Sequence, residues 1–234
     1  MRRPEMILFD YGQTLVAEQV FDGIKGTAAV MEYAVSNPHG YTPAEVQAEA
    51  EKIILETGRF SSMTEIHNRV FNNYLYGSMG IKIDLEPEEY DRIFWDAAAP
   101  GKVTEGLESF LEYLWEKGIR TAVLSNIGYS GAALEERIGR MIPSNHFEFI
   151  IATSEYLFRK PYKRIFDLAL KKADLKAENV WFVGDNPVCD IDGARDAGMT
   201  PVWYKAAMLT ATEDRDDVLK ITDWNELRNI LEGL

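Results

Sequence analysis

The chain is poor in the residues that mark several large functional classes. It has one cysteine, Cys189, in 234 residues. It can therefore form no internal disulfide, and a reducing cytoplasm is the expected compartment. Its three histidines, His39, His67 and His146, are scattered without the spacing of a metal-ligand set. No apolar run approaches the roughly 20 residues needed to cross a bilayer. Arg2-Arg3-Pro4-Glu5 leads straight into a strand-like run, with no signal-peptide apolar region. Positive charge is also short: 25 Lys and Arg stand against 38 Asp and Glu, for a net charge of −13. Such a surface repels nucleic acid and anionic lipid, which proteins bind by neutralising phosphate with Lys and Arg. No nucleic-acid or membrane partner is expected. The deficit is uneven, with 14 acids against 6 bases in residues 17–100 and 24 against 19 elsewhere. A phosphate ester would approach against this field, so local cations or a metal would have to hold it.

What is present has the rhythm of an α/β protein, at a length that can hold one large domain or a core with a smaller module. Met6–Phe9, Arg120–Leu124, Phe149–Ala152, Val180–Val183 and Pro201–Trp203 read as five strands, the later ones alternating with helical segments. Thr104 is placed to N-cap a helix whose Leu107, Phe110, Leu111 and Leu114 share one face, and Gly118 to end it. Pro161 opens another helix, and Asp223 with Glu226 has capping-box spacing for a last one. Residues 17–98 lack comparable short apolar strands. Thr42-Pro43-Ala44-Glu45 and Glu86-Pro87-Glu88-Glu89 start helices there, and Thr64–Tyr76 carries Ile66, Val70, Phe71, Tyr74 and Leu75 on a helical period. The expected organisation is a doubly wound parallel sheet from residues 1–16 and 99–234, with a helical insert at 17–98.

Polar groups recur where these strands end. Asp10 follows Met6–Phe9, and Gly12 after it lets a ligand approach the backbone, with the Thr14 hydroxyl two residues on. Ser125 and Asn126 follow the next core strand, and Arg159-Lys160-Pro161 precedes a helix. Gly184-Asp185-Asn186-Pro187-Val188-Cys189-Asp190-Ile191-Asp192-Gly193-Ala194 follows Val180–Val183. Two carboxylates five residues apart on a strand-to-helix loop suit a hard cation such as Mg²⁺. Asp192 reads as a helix-start acid, Cys189 as a packed thiol and Arg159 as a surface neighbour.

These four motifs, in this order, resemble the haloacid dehalogenase superfamily. The resemblance covers about residues 5–15 and 103–204, and the insert after the first motif matches that family's commonest cap. It implies an aspartyl-phosphate mechanism: Asp10 is the nucleophile and Lys160 the cation beside it. Ser125, Asn126 and Lys160 would bind the phosphoryl group. Asp10, the Gly12 carbonyl, Asp185 and Asp190 would hold Mg²⁺. The implied activity is hydrolysis of a small phosphorylated metabolite by a monomer or homodimer.

One departure qualifies this. The family's phosphatases carry a second Asp two residues after the nucleophile, as acid for the leaving group and base for water, and here that position is Gly12. General acid–base catalysis is worth about 10²–10⁴-fold, so ordinary alkyl phosphates should turn over slowly. Three alternatives follow: a non-hydrolytic binding or regulatory protein, a dehalogenase-like hydrolase, or a phosphonatase-like one using a lysine of the insert. Lys25 and Lys52 are the lysines weighed for that role, and both have the surroundings of exposed residues. In the insert, Arg59, His67 and Arg69 could face the site, whereas Tyr33, Tyr41, Phe60, Phe71, Tyr74 and Tyr76 read as its core.

Overall fold

Met6-Ile7-Leu8-Phe9 contains no charge and no turn former, and all four side chains are buried, as a strand covered on both faces requires. In the computed structural model, which describes residues 2–59, 61–205 and 216–234, this segment is the first strand of a mixed α/β chain. The order is β1 (Met6–Phe9), β2 (Val16–Glu18), α1 (Gly23–Met31), β3 (Ala34–Ser36), α2 (Pro43–Thr57), α3 (Asn68–Ser78), β4 (Lys82–Ile83), α4 (Pro87–Ala98) and β5 (Gly101–Val103). There follow α5 (Leu107–Glu116), β6 (Arg120–Ser125), α6 (Gly131–Met141), β7 (Phe147–Ala152), α7 (Lys163–Ala173), β8 (Val180–Gly184), α8 (Gly193–Asp196), β9 (Thr200–Tyr204), β10 (Leu219–Ile221) and α9 (Trp224–Glu232).

Six strands form one sheet in the order β10-β9-β8-β1-β6-β7, all parallel. Strand periodicity divides β1 between two cores. Ile7 and Phe9 join α5, α6 and α9 on one face through Leu107, Phe110, Leu134, Ile138 and Trp224. Met6 and Leu8 join α7 and α8 on the other through Ile165, Phe166, Ala169 and Ala194. The expected doubly wound sheet is present, with a sixth strand, β10, whose three residues are too short a run to stand out in the sequence.

Between β2 and β5, α1–α4 enclose a third cluster of buried residues, including Val30, Val46, Ile53, Leu75 and Tyr90. Thr42 and Glu45 form the expected capping box, with Pro43 at the helix start. Several local expectations differ from the structure. Residues 17–98 do contain strands, since β3 pairs with β4 as a two-stranded ribbon. Helix α3 starts only at Asn68, because Glu65 and Asn68 give their backbone N–H groups to Leu157 and Gly128 on the sheet side. Tyr76 is buried as expected, but Tyr33 and Tyr74 are exposed; Phe60 lies outside the described residues. Thr104 caps no helix. Its hydroxyl donates to the Thr14 carbonyl at 3.0 Å and accepts from Trp224 Nε1, leaving Gly106 (φ +81°) to turn the chain into α5. Helix α7 begins two residues after Pro161.

Candidate active site

The loop after β1 is held by the sheet itself. Asp10 N–H donates to the Val183 carbonyl at 2.9 Å, which carries the parallel ladder one residue past the strand and fixes Asp10 at its carboxyl edge. Lys160 reaches the same point from the loop before α7. Its Nζ donates to Asp10 Oδ1 at 2.6 Å and to Asp190 Oδ1 at 2.7 Å. Asn126 anchors this lysine from behind: its side chain accepts from Lys160 N at 2.7 Å and donates to Lys160 O at 2.8 Å. The Asn126 side chain thus positions Lys160.

Asp190 sits in a wide helical turn, Pro187–Asp192, begun by Asn186, whose Oδ1 accepts from Val188 N and Cys189 N. Asp190 Oδ2 accepts from Asn186 N at 2.8 Å. Gly184 is needed here for space, since a Cβ on it would stand 2.4 Å from Asp190 Oδ2. One oxygen each of Asp10, Asp185 and Asp190 lies within 4.8 Å of the others.

Three carboxylates and one ammonium form this cluster. Burial pushes the Asp10 carboxyl up to about 7, with Lys160 pulling down and Asp190 pushing up. Burial, then the charges of Asp10 and Asp190, push Asp185 up to about 8. Burial opposes the charge on Lys160, but the two carboxylates outweigh it and hold its ammonium above the ordinary value. Among the described residues, Asp185 takes part in no ion pair. Besides burial, Asp10 and Asp190 raise this half-buried carboxyl and Lys160 only partly offsets them. Such an excess of negative charge, on an all-oxygen donor set, fits a hard divalent cation.

Asp10, Gly12, Ser125, Asn126, Lys160, Asp185 and Asp190 all line one cavity of about 630 Å³. Its far side is formed by α1–α4, through residues such as Gln47, Asn68, Phe71 and Phe94. Phe71 packs against the insert's core, as expected, and also lines the cavity. Thr14 does not line it; its hydroxyl is buried without a hydrogen-bond partner among the described residues. Cys189 is half-buried on the cavity wall, where burial raises its thiol. Asp192 differs from its reading as a helix-start acid: it ends the helical turn that runs straight into α8, makes no side-chain capping bond and pairs with Arg195. Arg159 is no surface neighbour. It is largely buried, donates to the Arg59 carbonyl at 3.1 Å and pairs with Glu65, as Arg59 does. Of the three cationic candidates in the insert, Arg59 lines the cavity, His67 caps α3 by accepting from Arg69 N, and Arg69 lines a second, smaller cavity. Lys25 and Lys52 are exposed.

One part of the wall had no sequence expectation. Glu18, at the end of β2, lines the cavity, and its Oε1 accepts from Trp95 Nε1 at 2.7 Å and Arg137 Nη2 at 3.3 Å. Arg137 is buried under the Trp95 ring, 4.5 Å from its centroid, and also donates to Tyr11 Oη and the Ala99 carbonyl. Burial raises the Glu18 carboxyl, with Arg137 pulling it down. The one sequence signal was Gly101, opposite Glu18 in the β2–β5 pairing. A Cβ there would stand 2.5 Å from Val16 and 3.5 Å from Arg137.

A parallel sheet with acids and a lysine gathered at its carboxyl edge defines an α/β enzyme scaffold. The chain matches the model of the haloacid dehalogenase-like hydrolase family over residues 4–198, and it belongs to that family. It is 32% identical over 233 residues to the glyceraldehyde 3-phosphate phosphatase of Methanothermobacter thermautotrophicus, covering 96% of this chain and 98% of that one. It is 30% identical over 120 residues to the phosphoserine phosphatase of Thermus thermophilus; that match covers 51% of this chain and about half, 47%, of the relative. Among solved structures, the fold is similar to a phosphatase of the same superfamily from Thermococcus onnurineus, with a TM-score of 0.67 at 21% identity, covering 97% of this chain and 98% of that one.

Proposed function

We propose that this hydrolase is a phosphatase of a small phosphorylated metabolite, working through an aspartyl-phosphate on Asp10. The observation that carries this is the Asp10–Lys160–Asp190 contact beside Asp185, at the floor of a cavity walled on its far side by α1–α4. In this reading Asp10 Oδ attacks phosphorus in line with the leaving oxygen. Lys160 offsets the charge of carboxylate and phosphoryl, and the Ser125 hydroxyl, with backbone at Asn126, holds phosphoryl oxygens. Asp10, Asp185, Asp190 and the Gly12 carbonyl would hold Mg²⁺, which would neutralise phosphoryl charge. Residues 17–98 would act as a cap on a core of residues 1–16 and 99–234, excluding water and selecting the substrate. The whole-length similarity to a protein named glyceraldehyde 3-phosphate phosphatase supports a small phosphorylated substrate. No described helix is long and apolar enough to cross a membrane, and the single half-buried thiol suits a cytoplasmic site of action. The test is a panel of phosphorylated metabolites assayed with and without Mg²⁺, alongside Asp10→Asn. Phosphate release from at least one metabolite that needs both Mg²⁺ and Asp10 is the expected result. No release from any would overturn the reading.

A further inference from the structure

The gap at Gly12 is filled from outside its own motif. Gly12 has no left-handed φ, and among the described residues, its chain neighbours aside, the one heavy atom within 4 Å of where its Cβ would stand is Glu18 Oε2, at 3.6 Å. Both residues line the same cavity as Asp10. A side chain at position 12 would therefore project toward a carboxylate oxygen that is already there.

We propose that Glu18 is the proton donor and acceptor of the reaction, supplying from strand β2 the carboxyl that position 12 lacks. The inference rests on the phosphatase reading above. The carboxyl is oriented rather than loose. Trp95 and Arg137 both hold Oε1, and among the described residues no donor is bonded to Oε2, the oxygen nearest Gly12. The backbone beneath it is fixed as well. Gln13 Nε2 donates to the Glu18 carbonyl at 3.0 Å across the turn, and β2 pairs antiparallel with β5. Gly101 opposite leaves the space that Glu18 and Arg137 occupy.

The proton balance closes without another reactant. As the Asp10–phosphorus bond forms and the ester P–O bond breaks, protonated Glu18 gives its proton to the departing oxygen. Glu18 carboxylate then takes a proton from the water that attacks the aspartyl-phosphate. The Asp10–phosphorus bond breaks, inorganic phosphate leaves, and Glu18 is again protonated.

The experiment compares wild type, Glu18→Gln and Glu18→Gln with Gly12→Asp, using glycerol 3-phosphate as an alkyl ester and nitrophenyl phosphate as an activated one. The glutamine keeps an oxygen for Trp95 and Arg137, and thermal melts check the fold. Glu18→Gln should lower steady turnover of both esters by about 10²–10⁴-fold. It should still release a burst of about one nitrophenolate per enzyme and trap phosphoenzyme, because that leaving group needs no proton. The alkyl ester should give no burst. Gly12→Asp should restore steady turnover in the double variant. Glu18→Asp, which keeps the charge facing Arg137 but withdraws the carboxyl, should show the same pattern in weaker form and serves if the glutamine variant does not fold. Wild-type rates in Glu18→Gln would overturn the proposal alone, as would a loss of burst and steady rate in equal proportion. A wild type inert toward both esters and toward the whole metabolite panel, with no phosphoenzyme, overturns the phosphatase reading beneath it.

Discussion

The floor and the roof of the cavity are built by different means. The floor residues sit where buried strands run out, on loops whose backbone is tied to the sheet: Asp10 to Val183, Lys160 to Asn126, Asp190 to Asn186. The roof residues are side chains on α1–α4, packed on a separate apolar cluster and joined to the floor by a few backbone bonds such as Asn68 N to Gly128 O at 2.7 Å. In the phosphatase reading proposed above, a change on the tied floor should cost chemistry and a change among the roof's side chains should cost selectivity.

The sharpest break of this comparison is at the floor. Asp10→Asn should abolish metabolite hydrolysis, with a loss on the order of 10⁴–10⁶-fold for a nucleophile acting within a catalytic unit, while the melting temperature holds or rises. The rise follows from removing one of three clustered carboxyls, while Lys160 keeps Asp190 as its partner. Assay and thermal melt of the same preparation check both, and retained activity would remove Asp10 from the reaction.

The same contrast explains what was legible beforehand. Asp10, Ser125 and Asp185 stood out because a short apolar run must end, and a charged or hydroxyl residue at that end lies at the sheet's carboxyl edge, whereas Lys160 and Asp190 stood out through the motifs of the family resemblance. Helix starts with Thr-Pro-x-Glu chemistry were legible for the same local reason. Thr104 misled because a tertiary partner, the Thr14 carbonyl, took its hydroxyl. Arg159 differs from its expected surface position because burial on a loop depends on what packs across it, here Glu65 and the Arg59 carbonyl. Glu18 and Arg137 are 119 residues apart, and nothing local marks either as half of a buried pair. Only Gly101 hinted at crowding there.

Lys160→Met should be the next largest effect, because it breaks the floor's charge balance and leaves Asp10 and Asp190 buried together. Removing one partner of a buried pair costs about 3–5 kcal/mol. The loss should be smaller at pH 6 than at pH 9, since the remaining carboxyls can take up protons as the pH falls. Urea unfolding at both pH values measures it, and an equal loss at both would show that the carboxyls do not respond to the lysine.

Metal removal sharpens the comparison further. Asp10 and Asp185 have folded-state values near 7 and 8, above the ordinary 3.8. Their protonated forms are thus favoured in the fold, a contribution fully present below the ordinary value and lost as pH rises through 7 and 8. The metal-free protein should melt progressively lower from pH 5 to about 8, with no further fall from these groups above that. Mg²⁺ should offset that fall, by about 2.7 kcal/mol at a hundred times its Kd, and Asp185→Asn should weaken the response. A melting temperature that ignores Mg²⁺ at pH 8 would count against a metal site on this floor.

Gly101→Ala tests the wall between floor and roof. Its Cβ would meet Val16 at 2.5 Å, and Val16 is fully buried, so β2 must shift. Overpacking of this kind costs about 1–3 kcal/mol. The melting temperature should drop by several degrees, and the drop should be much smaller when Val16 is also trimmed to alanine, because the clash is then gone. Additive losses would place the strain elsewhere.

The smallest effect belongs to the roof. Phe71 lies on α3, half-buried, facing the cavity with the Arg59 guanidinium 5.6 Å from its ring centroid. It touches none of the groups that hold the phosphoryl end, so Phe71→Ala should leave kcat nearly unchanged. An apolar contact of this size to substrate is worth about 1–3 kcal/mol when it is made. In a cavity of about 630 Å³, the smallest metabolites will not reach across to it. KM should therefore rise only for bulkier phosphate esters, and the rise should grow with the size of the leaving group. Measuring kcat and KM across an ester series of increasing length separates the two regions. A fall in kcat for every ester, short ones included, would mean that the roof also orders the floor, and the contrast between them would not hold.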